Sequence, residues 1–506
     1  MPFERSSGVL LHVTSLPGPS GVGDFGKAAY RFIDFLREAG QKRWQVLPLN
    51  PTGYADSPFQ CFSASAGNPL LIDLESLVEM GLLNHQDLVK FPRFPSDNVD
   101  YGAAIAFKMP LLRQAANHFL SALTAKDQSA FERFLRSNAS WLDEYALFMA
   151  VKERFRLVAW TDWPSEIAAH EPGAVLQWSG ELAHEIEVQK AFQYLFFQQW
   201  QALRDYGRER GIRIIGDIPI YVAHDSADVW SNRQFFLMDD RGRPRVVAGV
   251  PPDYFSTTGQ LWGNPIYNWP LLKQTGYQWW VDRLRSALRL YDIVRIDHFR
   301  GFEAYWEVPG SETTATNGRW VKGPGKELFA ALRNELGELP IIAENLGVIT
   351  PEVEAIRHEF GLPGMAILQF AFGKDPQAPS FKPHNYVHNL VAYTGTHDND
   401  TVVGWWNSLG GDSTRSAEDV SKEHAYARSY LGFKDEPIHW EMIRGVMASV
   451  ADLAIAPMQD VLGLGSDTRM NFPGKASGYW KWRMAPGADS QDVAEKLKSL
   501  ALLFDR

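Results

Sequence analysis

Eight short apolar runs rich in β-branched residues, each ending in a polar or glycine-rich turn, constrain this chain more than any other feature. They are GVLLHV (8–13), WQVLPL (44–49), IRIIGDIPIYV (212–222), DIVRIDHF (292–299), AYWEVP (304–309), PIIAENLG (340–347), GMAILQFAF (364–372) and LVAYTGTHD (390–398). Amphipathic patterns such as GKAAYRFIDFLREAG, YQWWVDRLRSALRLY and GKELFAALRNELG lie between most of them. This alternation predicts parallel strands joined by right-handed crossovers, an α/β fold of the (β/α)8 TIM-barrel type. A barrel with insertions absorbs 506 residues without splitting, so 1–506 reads as a single decorated barrel. The gap between the second and third runs is too long for one crossover, and 70–210 reads as a mainly helical insertion after the second strand. Residues 223–270, carrying GVPPDYFSTTGQLWGNPIYNWP, read as an irregular region of further loop insertion that covers a substrate site.

Composition serves mainly to exclude. A net charge of -10 repels a phosphate backbone, and no block of Lys and Arg offsets it, so nucleic acid is not expected as a partner. The first residues lack the basic flank and long apolar stretch of a leader peptide, and no run reaches the roughly 20 apolar residues of a membrane span. With one cysteine, Cys61, no intrachain disulfide can form, and the expected location is cytoplasmic. The 18 Trp residues are the one excess. Their rings suit either a packed core or stacking on the apolar faces of sugars.

Active sites of parallel barrels lie at the carboxyl ends of the strands, where Asp217, Asp297, Glu344 and Asp398 terminate apolar runs. Each would serve equally as a cap for the following helix. In IVRIDHF the period of two sets Arg295 and Asp297 on one face. A cation there favours an ionised, nucleophilic aspartate, although a purely structural buried ion pair fits the same pattern. Glu344 follows apolar PIIA with no adjacent cation, so desolvation favours its protonated form. A retaining glycosidic mechanism needs such a pair, with carboxyl groups about 5 to 5.5 Å apart. Asp297 is then the nucleophile candidate and Glu344 the acid/base candidate. His397 and Asp398 in THDN can hold sugar hydroxyls, with Asp398 stabilising the transition state. The His-Asp dipeptides at 224–225 and 397–398, with Asp297 and His298, also resemble metal-ligand material, but none shows histidines at helical i, i+4 spacing. No metal and no cofactor is expected.

Taken together, GDIPIYV, RIDHFRG, AENLG and THDND resemble, in order and separation, the four strand-end motifs of the amylomaltases, the 4-α-glucanotransferases of glycoside hydrolase family 77. SGVLLHVTSLPGPSGVGDFG, PTGYADSPFQ with SAGNPLLIDL, GVPPDYFSTTGQLWGNPIY and RMNFPG extend the resemblance over about 7–485. It implies that Asp297 is nucleophile, Glu344 acid/base and Asp398 transition-state stabiliser, and that Asp217, Arg295, His298 and His397 line the subsite beside the scissile bond. It further implies glucan contacts from Tyr54, Ser57, Phe59, Asp253, Gln260, Trp262 and Asn264, with Tyr254 and Phe255 on a loop that closes over the acceptor.

Two positions depart from the family pattern. Phe59 stands where tyrosine is frequent, so stacking survives without a hydroxyl, and SGYWKWR leaves Tyr479 and Trp480 without an assigned contact. The implied activity is transfer of an α-1,4-glucan segment to a 4-hydroxyl of glucose or a maltooligosaccharide. Hydrolysis by the same carboxylates, and glucan binding without catalysis, are the competing readings.

Overall fold

The computed structural model describes residues 3–89, 92–252, 256–410, 416–432, 436–475 and 477–506, without the side chain of Tyr54. Among these residues the strands, in chain order, are β1 (Ser6–Leu10), β2 (Arg43–Gln45), β3 (Arg213–Pro219), β4 (Val246–Val250), β5 (Gln260–Pro265), β6 (Ile293–Asp297), β7 (Ala304–Pro309), β8 (Arg319–Lys322), β9 (Ile341–Ala343), β10 (Gly364–Ile367), β11 (Leu390–Tyr393) and β12 (Leu453–Pro457). Eight form one parallel sheet in the order β10-β11-β12-β1-β2-β3-β6-β9. The Ala343 N–H donates to the Pro363 carbonyl at 2.9 Å and the Met365 N–H to Asn345 Oδ1 at 2.8 Å, which closes the sheet into a barrel.

One of the eight expected runs lies outside the barrel, and one barrel strand lies outside the eight. AYWEVP forms β7, but it belongs to a separate four-stranded antiparallel sheet, β5-β4-β7-β8. The eighth barrel strand is β12, from LAIAP, a run the sequence reading passed over. A strand covered on both faces reads as continuously apolar, and all five residues of β12 are buried. In β7 the apolar run is broken by Glu307, whose buried carboxylate pairs with its cross-strand partner Arg319 of β8 at 2.7 Å. Asp297 therefore ends the fourth barrel strand, and Glu344 and Asp398 follow the fifth and seventh. The stretch 223–270 is also less irregular than its Pro/Gly content suggests, since β4 and β5 supply half of the antiparallel sheet.

The connection from β2 to β3 contains the helices Tyr101–Ser121, Ala125–Asn138, Leu142–Arg154 and Ala183–Glu209, among shorter ones. The last of these also serves as the crossover onto the barrel. It buries Phe192, Leu195, Phe196, Trp200 and Leu203, sets Phe196 and Trp200 each 5.1 Å from the Phe25 ring, and donates the Trp200 indole N–H to the Leu290 carbonyl at 2.9 Å. Lys108, wholly buried on the helix Tyr101–Ser121, donates to Asp24 at 3.0 Å and to the Leu70 carbonyl at 2.7 Å. The charge is thus paired in the interior, as a buried amine requires.

Strand alternation positions the site. Ile215 of β3 and Ile293 of β6 belong to the cluster filling the barrel with Leu10, Ile342, Met365, Val391 and Ile455, whereas Val294 and Ile296 pack outward against the helices. Stepping two residues along from the inward isoleucines places Asp217, Arg295 and Asp297 on the inner face. Gly216 faces outward beneath Tyr291, and a Cβ there would fall 2.0 Å from that ring.

Candidate active site

Asp217 and Arg295 are register partners on neighbouring parallel strands, so their side chains leave the sheet side by side. One Arg295 terminal nitrogen donates to both oxygens of Asp217 at 2.8 and 2.6 Å, and the other donates to Asp297 Oδ1 at 2.8 Å. Burial pulls the Arg295 pKa down, but the fields of Asp217, Asp297 and Glu344 outweigh it and hold the guanidinium charged. The ion-pair reading and the functional reading meet in this one arginine. Asp217 is fully buried while the Asp297 side chain keeps 31% exposure. Asp217 therefore anchors the cation from below, and Asp297 presents a carboxylate to the cleft.

Glu344, one residue past β9, is buried, with Oε2 accepting the His298 N–H at 2.7 Å and Oε1 the Leu346 N–H at 2.8 Å. Desolvation, then the charge of Asp297, push its pKa up to about 7, against the pull of Arg295 and the two backbone donors. The His298 backbone is left-handed at φ 54, a conformation non-glycine residues adopt only when the surroundings enforce it. It turns this N–H toward Glu344. The His298 ring meets Trp262 edge-on at 4.8 Å, and burial lowers its pKa to about 3, with Arg300 adding to the effect. The ring is therefore neutral.

Asp398 lies five residues beyond the end of β11, with its side chain 40% exposed. The Asn471 amide donates to its Oδ1 at 2.6 Å, and Arg469 donates to its carbonyl at 2.7 Å. His397 Nε2 stands 3.5 Å from Oδ2. Burial lowers the His397 pKa, and its ring stacks on Phe59 at 4.9 Å and 20°, with Trp480 5.8 Å from Phe59 and 5.9 Å from His397. Phe59 thus keeps the aromatic wall without a hydroxyl, and Trp480 completes it.

None of the three carboxylates caps the helix that follows it. The helix Val402–Asn407 is capped by the Thr401 side chain, and Pro351–Glu359 has Thr350 at its N-cap. The remaining expected residues divide. Trp262 donates its indole N–H to Gln260 Oε1 at 3.2 Å, so the two share one edge of β5 beside His298. Asn264 is buried, donating to the Val222 carbonyl at 2.9 Å and accepting from Gln60 at 3.2 Å, which fastens β5 to the strand ends. The Ser57 hydroxyl accepts the Phe59 N–H at 3.3 Å. Tyr54 opens a short turn, Tyr54–Asp56. Asp253, Tyr254 and Phe255 lie outside the described residues.

The His-Asp pairs have other partners: Asp225 binds Lys152 at 2.7 Å and His224 Nε2 lies 2.7 Å from the Gly242 carbonyl. Among the described residues no group of three or more His, Cys, Asp or Glu is placed to hold a metal ion. Asn471 and Arg469 join the site without having been expected there, and Trp480 gains the contact that the sequence leaves unassigned. RMNFPG carries the first two and SGYWKWR the third, but neither segment has a periodicity that would aim it at Asp398 or His397.

Comparison with known proteins gives the family. The model of glycoside hydrolase family 77, described as 4-alpha-glucanotransferase, matches residues 11–489. The chain is 49% identical over 514 residues to a 4-alpha-glucanotransferase of Thermus thermophilus, covering 100% of both chains. It is 50% identical over 507 residues to one of Synechocystis, covering 99% of this chain and 98% of that one. The amylomaltase from Streptococcus agalactiae, solved in complex with acarbose, superposes with a TM-score of 0.94 at 40% identity, covering 99% of this chain and 100% of that one. The chain belongs to glycoside hydrolase family 77, the 4-alpha-glucanotransferases.

Proposed function

We propose that this 4-α-glucanotransferase moves a segment of an α-1,4-glucan to the 4-hydroxyl of glucose or a maltooligosaccharide by double displacement. Asp297 is the nucleophile, Glu344 the acid/base and Asp398 the transition-state stabiliser. One observation carries the division of labour: the two neighbouring carboxyl groups have opposite environments. Asp297 is paired with a guanidinium at 2.8 Å and open to the cleft, whereas Glu344 is desolvated, with its pKa up to about 7. Environments that separate two carboxyls in this way mark the nucleophile from the acid/base.

In the first half-reaction Glu344 gives its proton to the glycosidic oxygen while Asp297 bonds to the anomeric carbon. The reducing-end fragment leaves as an alcohol, and a β-glycosyl ester remains on Asp297. In the second, ionised Glu344 takes the proton of the acceptor 4-hydroxyl, that oxygen attacks the anomeric carbon, and Asp297 is released. Protons and bonds balance without metal or nucleotide, because the ester conserves the free energy of the broken bond. Asp398, held by Asn471, stands where it can grip the distorted sugar, with the Phe59, His397 and Trp480 rings as an apolar wall.

Water and sugar compete only for the second half-reaction. Trp262, beside His298 on the β4–β5 hairpin, supports a role for 249–265 in stacking the acceptor and excluding water. We read the helices between β2 and β3 as an insertion subdomain of one decorated barrel, and 223–270 as the region covering the substrate. We place the enzyme in the cytoplasm, in keeping with a single cysteine, Cys61, that can form no intrachain disulfide. Among the described residues no helix is long and apolar enough to cross a membrane. Incubation with maltotriose tests the activity. Glucose together with maltotetraose and longer products is the expected result, and glucose with maltose and no elongation identifies a hydrolase instead.

A further inference from the structure

The two oxygens of Glu344 rest on backbone donors from two different segments. The His298 N–H comes from the turn after β6 and the Leu346 N–H from the loop after β9. Neither segment is regular at that point: His298 has a positive φ, Gly347 has φ 83, and Val348 is 59% exposed. One side chain joins them. Arg300 sits two residues after His298, in the short helical turn Phe299–Phe302, and is itself buried. Its guanidinium donates to the carbonyl of Val348, two residues after Leu346. The guanidinium carbon lies 3.8 Å over the Trp320 ring of β8, which sits at 5.3 Å from Trp306 of β7. A planar cation on an indole face keeps its fork fixed and its edge free to donate.

We propose that Arg300 is a positioning residue for Glu344: by tying the Val348 carbonyl to the turn that carries His298, and bearing on Trp320, it fixes the Leu346 N–H relative to the His298 N–H, the two backbone donors that orient the acid/base carboxyl. The proposal rests on the reading of Glu344 as acid/base. One backbone bond already ties the two segments at the root of the loop, where the Phe299 N–H donates to the Glu344 carbonyl at 3.1 Å, so Arg300 braces the part of the loop beyond Glu344, which has two further side-chain ties. Gln377 donates to the Gly347 carbonyl, and Asn345 donates to Glu354 at 2.7 Å and accepts from Met365 at 2.8 Å. These hold the loop near the barrel, but neither reaches the His298 segment. The charged groups acting on Glu344 itself are Asp297 and Arg295, and those on Arg300 include Glu303.

Without the brace the Leu346 donor is held less closely to the His298 turn. The carboxylate form of Glu344 then loses a hydrogen bond and its proton affinity rises. Protonated Glu344 can still serve as acid, but it is a poorer source of the ionised base that the second half-reaction needs. The glycosyl-enzyme should therefore accumulate.

The test is the pH dependence of kcat/KM for maltotriose in Arg300→Met, Trp320→Leu and Glu344→Gln. In Arg300→Met the basic limb is expected to move up by about one pH unit, with kcat reduced roughly tenfold to a hundredfold and KM nearly unchanged. Trp320→Leu removes the platform from a half-exposed position and keeps the charge at 300. It is expected to move the limb the same way by a smaller amount. A limb that stays in place in both variants, with activity falling only alongside the thermal midpoint, overturns the proposal. So does a shift confined to Arg300→Met, which would assign the effect to the arginine's field. Glu344→Gln separates this inference from the reading beneath it. Loss of the basic limb there supports Glu344 as acid/base whatever Arg300 does, and a limb that persists overturns the acid/base assignment itself.

Discussion

Replacing Glu344 with Gln removes a carboxyl that the fold has buried against its own interest. The group ionises at 4.5 in an exposed setting and at about 7 in the fold, and each unit of displacement is about 1.4 kcal/mol. The folded state therefore holds this proton more tightly than the unfolded chain. The group's favourable contribution is complete below pH 4.5 and is lost as pH rises through 7. At pH 8 the ionised side chain costs the fold about 3 kcal/mol relative to a neutral one. The amide has no such dependence, so the stability of the variant minus that of the parent should climb by about 3 kcal/mol between pH 4.5 and 8.

A constant term opposes it. The carboxylate accepts two backbone N–H groups, whereas the amide oxygen accepts one and leaves its NH2 facing the other, a penalty of about 1 to 3 kcal/mol. For a chain of 506 residues the unfolding entropy is about 1 kcal/mol/K, so the climb corresponds to about 3 °C in Tm. Calorimetry of both proteins at a series of pH values reads it directly. A Tm difference that is flat with pH, or that favours the parent more as pH rises, refutes the argument that Glu344 is held against ionisation.

Three other substitutions probe the remaining supports. Arg295→Met leaves Asp217 buried without its partner, a loss of about 3 to 5 kcal/mol, and is expected to lower Tm and soluble yield, with Asp217→Asn in the same chain restoring part of both. Asn471→Ala removes the donor 2.6 Å from Asp398; kcat on maltotriose should fall roughly tenfold to a hundredfold while Tm changes little. In Gly216→Ala the new methyl meets the Tyr291 ring, an overpacked contact costing about 1 to 3 kcal/mol. It should appear as a lower urea midpoint, and a second change, Tyr291→Leu, should relieve it.

Most of the barrel was legible because its strands are continuous apolar runs that end in chemistry. IVRID shows both the strand and, by alternation, which two of its side chains share the inner face. LAIAP escaped notice because a five-residue run ending in proline carries no polar motif to mark it. AYWEVP was misplaced because its strand propensity is real, and only its pairing partners, absent from any local pattern, set it in the second sheet. The site divided the same way. The three acids and Arg295 stand in or just after strand runs. Asn471, Arg469 and Trp480 reach Asp398 and His397 from a segment with no period, and the twofold hold of Arg295 on Asp217 and Asp297 depends on the register between β3 and β6. That register is a property of the closed barrel.

The central claim is that Asp297 carries the glycosyl group between donor and acceptor. Slowing the second half-reaction with Glu344→Gln, supplying an activated α-glucosyl fluoride, quenching in acid and mapping the peptic peptides by mass spectrometry tests it directly. The account predicts a glucosyl adduct on the peptide spanning 293–299, localised to Asp297 and absent in Asp297→Asn. An adduct on Asp398 or Asp217, or a burst of fluoride release with no adduct on 293–299, would contradict it.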